Sequence, residues 1–190
     1  MKLLYNILLK SIMYSTIEPY INPLISRINK RNIIKISLGK DNKNYFSNML
    51  DERFINNLCQ NINKNPELHY KLEEQKETVF YHENKRMIYN NKTQQTSIYI
   101  IETSDFHKHD NFVFRNETIE DISRYGISCF EEPHCIQHRV RNILHFGSIL
   151  DVVISYINED NMKYYTVDIV ISKPTPTKKI KQLLDKFQFY

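Results

Sequence analysis

The stretch IQHRVRNILHFGSILDVVISYINEDNMKYYTVDIVI, residues Ile136 to Ile171, decides the fold of this chain. Its three runs have strand-like patterns, and a polar turn from Asn158 to Asn161 separates the last two. Because side chains alternate across a strand, Arg139 and Arg141 face one side of the first run. The stretch therefore predicts three consecutive strands. Their charged face is either enclosed and functional or the solvated outer face of an antiparallel meander.

Length and composition bound the class of protein. The chain has 190 residues, 41% of them apolar, which predicts one domain with a core. The net charge of +4 permits a phosphate-bearing partner without requiring one. Three cysteines without a CxxC pair indicate a reducing compartment, so we expect a cytoplasmic protein (including a viral factory or virion) or a nuclear one, and not a secreted one.

The chain opens with helical patterns. Residues Met1 to Met13 favour an amphipathic helix over a signal peptide, because Lys10 interrupts the apolar run and no small-residue cleavage site follows. No run approaches the roughly 20 apolar residues of a membrane span, so no membrane partner is expected. The segment Asn32 to Leu38 predicts a strand closed by Gly39, and Asp41 is predicted to cap a helix that ends near Asn63 to Pro66.

Strand patterns dominate the rest. Residues Thr78 to Glu102 predict consecutive strands joined by tight turns, and Arg124 to Pro133 predicts another strand. Ser104 to Asn111 is predicted to be a polar loop, whose pair His107 and His109 is either a chance H-x-H or part of a metal site. A terminal amphipathic helix is predicted from Lys178 to Phe187, with a solvated lysine face favoured over a membrane or nucleic-acid surface.

About eight antiparallel strands cannot bury both faces in an open sheet of this size, and a closed barrel removes the exposed edges. We therefore predict an α+β fold: a closed antiparallel β-barrel with N-terminal, internal and C-terminal helices. The predicted divisions are an N-terminal helical segment (1–31), a β-tunnel domain (32–173) and a C-terminal helix (174–190).

The order of these elements resembles the tunnel-type RNA 5′-triphosphatases of mRNA capping in fungi, protozoa and large DNA viruses. Several motifs carry the resemblance: the hairpin VFYHENKRMIY, the strand RYGISCFEEP, HRVRNILHF in place of a K-x-R strand, SILDVVIS in place of an Asp strand, and YYTVDIVI as the last strand. The match is best from Thr78 to Ile171 and covers about half of the chain well.

The resemblance implies a site inside the barrel. Its implied phosphate ligands are Lys35, Arg86, Arg124, Arg139 and Arg141; its implied catalytic residues are Glu131 and Asp151, and its implied metal ligand is Asp168. In the family, glutamates of the first and last strands hold Mg²⁺ or Mn²⁺, and basic side chains stabilise the charge on the γ-phosphate.

The sequence departs from the family at the metal-binding strands. Ile33 and Lys35 stand at the two glutamate positions of the first strand when Gly39 anchors the alignment. In the last strand Thr166, Asp168 and Val170 replace the glutamates, so only one carboxylate is left. The sequence thus predicts a degenerate site in which the basic half is retained, and it leaves enzymatic activity open. A divalent cofactor is implied by the family and absent if the site is degenerate.

Three functions follow from these observations. The first is a triphosphatase-like protein of a capping or transcription apparatus, of viral type, that binds the RNA 5′-triphosphate end and a capping or RNA polymerase partner. The alternative is a non-enzymatic scaffold on the same barrel, similar to the barrels of Mediator head subunits. The third is a plain RNA-binding β module, favoured by 13 Tyr and 10 Phe interleaved with Lys and Arg.

Overall fold

The computed structural model describes residues 19–42, 45–109, 111–126 and 132–187. Eight antiparallel strands close into a barrel in the order β1-β10-β9-β8-β4-β5-β6-β7, and two further strands, β2 and β3, form a small hairpin. The predicted closed barrel is confirmed. The strands are β1 Asn32–Leu38, β2 Lys40–Asn42, β3 Tyr45–Ser47, β4 Lys71–His82, β5 Lys85–Asn90, β6 Gln95–His109, β7 Phe112–Asp121, β8 Cys135–Phe146, β9 Leu150–Glu159 and β10 Met162–Ile171.

Three helices accompany the barrel. The first, α1, includes residues 19–25; α2 is Glu52–Lys64 and α3 is Thr177–Phe187. A short 3-10 helix lies at Ser123–Tyr125. The three strands predicted from the opening stretch are β8, β9 and β10, and the C-terminal helix was also predicted correctly.

Strand β1 closes the barrel because it pairs on both edges. Lys35 is opposite Val170 of β10 on one side and opposite Arg115 of β7 on the other. The chain therefore joins its first barrel strand to its last, and none of the eight strands is left with a free edge.

The hydrophobic core lies outside the barrel, between the outer wall and the helices. Outward side chains of β1, such as Ile34 and Ile36, are fully buried there with Leu58 of α2 and Phe187 of α3. Each strand of this part of the wall therefore carries an apolar row toward the helices and a second row toward the barrel interior.

The segment after β1 differs from the prediction. Residues 40–47 contain the β2–β3 hairpin, and α2 begins only at Glu52, with the side chain of Asp51 accepting a hydrogen bond from Phe54 N at 2.8 Å. Asp41 is therefore not the helix cap. A β-carbon at Gly39 would lie 2.2 Å from Ser47 O, so the close approach of the hairpin requires glycine there.

Two predicted boundaries were also wrong. Strand β6 continues through the predicted polar loop to His109 and accommodates its polar residues with a register shift between Ser104 and His107. Arg124 lies in the 3-10 helix and not in a strand. The predicted N-terminal helix from Met1 to Met13 and most of the predicted strand after Arg124, including Glu131, lie outside the described residues.

No helix in the described ranges is long and apolar enough to cross a membrane.

We predict that Phe187→Ala lowers the free energy of unfolding by about 3–5 kcal/mol, because it leaves a cavity between α3 and the barrel wall. The Phe187 ring is fully buried, and its centroid is 4.9 Å from that of Phe146. Urea unfolding followed by circular dichroism measures the change. Lys178→Ala, on the exposed side of α3, is the control and should change stability by less than about 0.5 kcal/mol. Equal effects of the two changes would contradict the packing.

Candidate functional site: the barrel interior

The inward rows of the strands line a cavity of about 810 Å³ inside the barrel. On β8, for example, Gln137, Arg139 and Arg141 point inward while the alternate residues face out. Five basic side chains line the cavity, namely Lys35, Arg86, Arg115, Arg139 and Arg141, against three acidic ones, namely Glu77, Glu117 and Asp168. The described lining therefore carries two positive charges in excess, which favours an anionic ligand.

The three acidic side chains each pair with a basic one. The pairs are Lys35 Nζ with Asp168 Oδ2 at 3.2 Å, Arg141 Nη1 with Glu77 Oε1 at 3.1 Å, and Arg115 Nη1 with Glu117 Oε1 at 3.9 Å. Because such pairs offset one another, the excess positive charge falls on the two remaining arginines.

Those two arginines flank one aromatic ring. Arg86 of β5 and Arg139 of β8 lie on the strands at either side of Tyr81 of β4, with guanidinium carbons 4.3 Å and 5.3 Å from the ring centroid. Both are held by uncharged acceptors: Arg86 Nη1 donates to Glu83 O at 2.9 Å, and Arg139 Nη2 donates to Gln137 Oε1 at 2.7 Å. Burial, with Arg141 nearby, lowers the pKa of Arg139 from its ordinary value. Neither guanidinium pairs with a carboxylate among the described residues.

Glu77 is the most deeply buried carboxylate of the cavity, with 4% of its surface exposed. Oε1 accepts the hydrogen bond from Arg141, and Oε2 is buried with no hydrogen-bond partner among the described residues. A buried carboxylate oxygen is costly without a donor. Arg141 therefore stabilises a charge that the barrel interior otherwise disfavours.

A hydrogen-bond network fixes one mouth of the tunnel. Glu159, near the end of β9, accepts hydrogen bonds from Cys135 Sγ, Gln137 Nε2 and Tyr164 OH, each at 2.7 Å. Burial opposes the charge on Glu159, but these three donors together hold its pKa below the usual range. Burial and the bond to Glu159 raise the pKa of the Cys135 thiol to about 12, so it is not a thiolate at neutral pH.

At the opposite mouth, His145 near the end of β8 lies between two carboxylates. His145 Nδ1 lies 2.8 Å from Asp151 Oδ1, and its Nε2 lies 3.3 Å from Glu73 Oε2. The hydrogen bond to Asp151, and secondarily that to Glu73, raise the pKa of His145 above its ordinary value, although burial opposes this. The three residues join β4, β8 and β9 at this mouth.

The structure brings together five of the eight predicted site residues. Those that line the cavity are Lys35, Arg86, Arg139, Arg141 and Asp168. Asp151 contacts His145 at the mouth, and Arg124 is exposed on the 3-10 helix, where its Nη2 donates to Tyr125 OH at 2.7 Å. Glu131 lies outside the described residues. The functional roles assigned to all eight stay predictions.

The cavity lining includes charged and aromatic residues that were not predicted, among them Glu77, Tyr81, Arg115 and Glu117. The alternation that marks Thr78 to His82 as a strand extends backward, and it places Glu77 and Tyr81 on one face. The same alternation places Arg115 and Glu117 on one face of β7. The alternation was therefore present in the sequence. In a polar run such as KLEEQKE, however, no apolar row indicates which face of the strand points inward.

Solved structures with a similar architecture include RNA triphosphatases. The S. pombe Pct1 RNA triphosphatase superposes with a TM-score of 0.59 at 11% identity, covering 95% of this chain and 84% of that chain. The RNA triphosphatase domain of the mimivirus mRNA capping enzyme gives a TM-score of 0.60 at 10% identity, covering 89% and 94%. The barrel has the fold of the tunnel-type RNA triphosphatases. No protein-family model and no curated protein sequence matches the chain.

The divalent cation of that family does not fit the residues found here. Both oxygens of Asp168 are engaged, Oδ2 by Lys35 Nζ and Oδ1 by Ser37 Oγ, which donates to it at 2.6 Å. The other inward positions of β1 and β10 beside them are Ile33, Thr166 and Val170, and Glu117, opposite Ile33 on β7, is paired with Arg115. Mg²⁺ and Mn²⁺ require several oxygen ligands. No group of three His, Cys, Asp or Glu side chains in the described ranges could hold a metal ion.

We predict that Arg141→Met lowers the free energy of unfolding by about 3–5 kcal/mol, because it leaves Glu77 buried without its counter-charge. Adding Glu77→Gln to Arg141→Met removes the uncompensated charge and should recover most of that loss. Urea unfolding of both variants measures the two changes. If the double variant is as unstable as Arg141→Met, the ion pair is not the cause.

The His145 contacts predict a pH-dependent contribution to stability. A raised pKa means that protonated His145 stabilises the fold below its unfolded value of 6.5, and that this contribution is lost as the pH rises through the folded value. The melting temperature of wild type should therefore exceed that of His145→Gln more at about pH 5.5 than at about pH 8.5. His69→Gln, at an exposed position, is the matched control. A difference that does not change with pH would contradict the assignment.

Proposed function

We propose that this protein binds the 5′-triphosphate end of RNA inside its barrel, as part of a capping or transcription apparatus, and that it lacks metal-dependent phosphohydrolase activity. The main support for this proposal is the excess positive charge that Arg86 and Arg139 contribute within an enclosed cavity. Guanidinium groups form short, charge-assisted hydrogen bonds to phosphate oxygens. Lys35 and Arg141 contribute further positive charge from β1 and β8.

The size and shape of the cavity support this substrate class. A volume of about 810 Å³ lies within the range of small-molecule sites and accommodates a triphosphate. Basic side chains enter from β1, β5, β7 and β8, so a polyanion inside the barrel meets positive charge from several walls. Basic side chains that converge from several walls suit a triphosphate, whose charge is spread over many oxygens. A stripe of basic residues on a solvated surface does not surround a ligand in this way.

The proteins with similar structures support the proposed role in a capping or transcription apparatus. They include RNA triphosphatases, a viral capping enzyme, and a complex of S. pombe Pct1 with the Spt5 CTD, which superposes with a TM-score of 0.61 at 9% identity, covering 95% of this chain and 84% of that chain. We propose by analogy that this chain acts beside a protein partner in a capping or RNA polymerase complex. We also propose that this protein is of viral origin.

The lack of metal-dependent activity rests on the residues of β1 and β10. Ile33, Lys35 and Val170 face the cavity where the family carries glutamates, and Asp168 is engaged by protein donors. Glu131 and Asp151 are proposed as catalytic residues only if turnover is observed. Arg124 remains a proposed phosphate ligand that the same assay tests.

We predict that the full chain binds RNA with a 5′-triphosphate more tightly than the same RNA with a 5′-monophosphate or a 5′-hydroxyl end. Arg86→Gln and Arg139→Gln should each weaken triphosphate-end binding roughly 10- to 100-fold, since each removes a charged donor. Fluorescence anisotropy measures binding. Release of γ-phosphate with Mg²⁺ or Mn²⁺ should stay at background.

Arg53→Gln, on the exposed side of α2, is the matched control and should bind like wild type. Arg124→Gln tests whether that exposed arginine contributes to binding of the triphosphate end. Equal affinity for all three RNA ends would refute the binding function and leave the scaffold hypothesis. Metal-dependent release of γ-phosphate would refute the loss of activity.

A further inference from the structure

We infer that Lys35 takes the place of a divalent cation in this tunnel, so that anion binding needs no metal. The inference rests on the proposed function for its ligand, but its claim about the cation stands on separate contacts. Lys35 points into the cavity from β1, and its Nζ lies 3.2 Å from Asp168 Oδ2 on the neighbouring strand β10. A positive charge is thus built into the wall beside the one inward carboxylate of β10.

The surroundings of Lys35 oppose a metal ion. Its register partners are Val170 on β10 and Arg115 on β7, an aliphatic side chain and a second cation. Ser37 Oγ donates to Asp168 Oδ1, so neither oxygen of the carboxylate is available without breaking a contact. An entering Mg²⁺ would lose hydration water and meet two like charges, and the carboxylates at this wall, Asp168 and Glu117, are each already paired with one of them.

The same contacts leave Lys35 suited to an anion. Its side chain keeps 27% of its surface exposed, toward the cavity that it lines. An ammonium group carries three N–H donors, and Asp168 lies in only one direction from it. Arg115 on the adjacent strand adds a second positive charge to the same wall of the cavity. The Lys35 ammonium can therefore donate hydrogen bonds to phosphate oxygens directly, without an intervening metal ion.

The metal arm of the test needs no ligand. Mn²⁺ is titrated against the full-length wild type, and the free ion is followed by electron paramagnetic resonance. We expect no saturable binding. Ile33→Glu/Lys35→Glu, which adds two inward carboxylates beside Asp168, should gain a saturable Mn²⁺ site, whereas Lys163→Glu, an equivalent change at an exposed position of β10, should not. Saturable binding to wild type that Asp168→Asn abolishes would overturn the inference. Thermal melts establish that each variant is folded.

The ligand arm uses inorganic tripolyphosphate and isothermal titration calorimetry. Wild type should bind equally well with EDTA and without it. Lys35→Gln should weaken binding roughly 10- to 100-fold, and Lys35→Arg, which keeps the charge, should retain most of it. A requirement for Mg²⁺ or Mn²⁺ would overturn the inference while leaving the proposed function intact. No binding of tripolyphosphate or RNA under any condition would refute the proposed function, and the Mn²⁺ titration would still decide whether Lys35 excludes a metal.

Discussion

The pairing of β1 with both β10 and β7 is the constraint on which the rest of the structure depends. It turns the sheet into a barrel and converts one face of every barrel strand into an enclosed interior. Inside, side chains are partly withdrawn from water, so charges interact more strongly than on a surface and need nearby partners. The pairs Lys35–Asp168 and Arg141–Glu77 meet this need across neighbouring strands, the first between β1 and β10 and the second between β8 and β4.

Stability and chemistry reside on opposite faces of the same strands. Outward Ile34 and Ile36 are buried beneath the helices, whereas Lys35 between them lines the cavity. Apolar burial by the outward row stabilises the barrel wall whatever the inward row contains, provided that inward charges are paired. This separation accounts for a shared fold at about 10% identity: the inward residues can change without loss of the core that holds the strands.

The same separation of apolar and charged faces determines which strands can be predicted from the sequence. Strands β8, β9 and β10 were recognised because their pattern includes an apolar row toward the helices. The first half of β4 was ambiguous because Leu72, Glu74 and Lys76 face solvent while Gln75 and Glu77 face the tunnel, so neither face is apolar. The ion-pair partners could not be predicted, since each depends on strand adjacency and register. The same holds for the hydrogen bond from Ser37 to Asp168, which joins residues 131 positions apart.

The excess positive charge inside the barrel bears both on the proposed ligand and on the proposed lack of a metal. A divalent cation needs several carboxylates that no protein cation already neutralises, because the metal is then their counter-charge. Here the described lining has more basic than acidic side chains, and its three carboxylates are already paired. Buried cations without counter-charges are unfavourable, so Arg86 and Arg139 favour the entry of an anion. Lys35 beside Asp168 and the two arginines without a carboxylate partner among the described residues are thus two aspects of one electrostatic arrangement, an interior whose excess positive charge favours an anion over a cation.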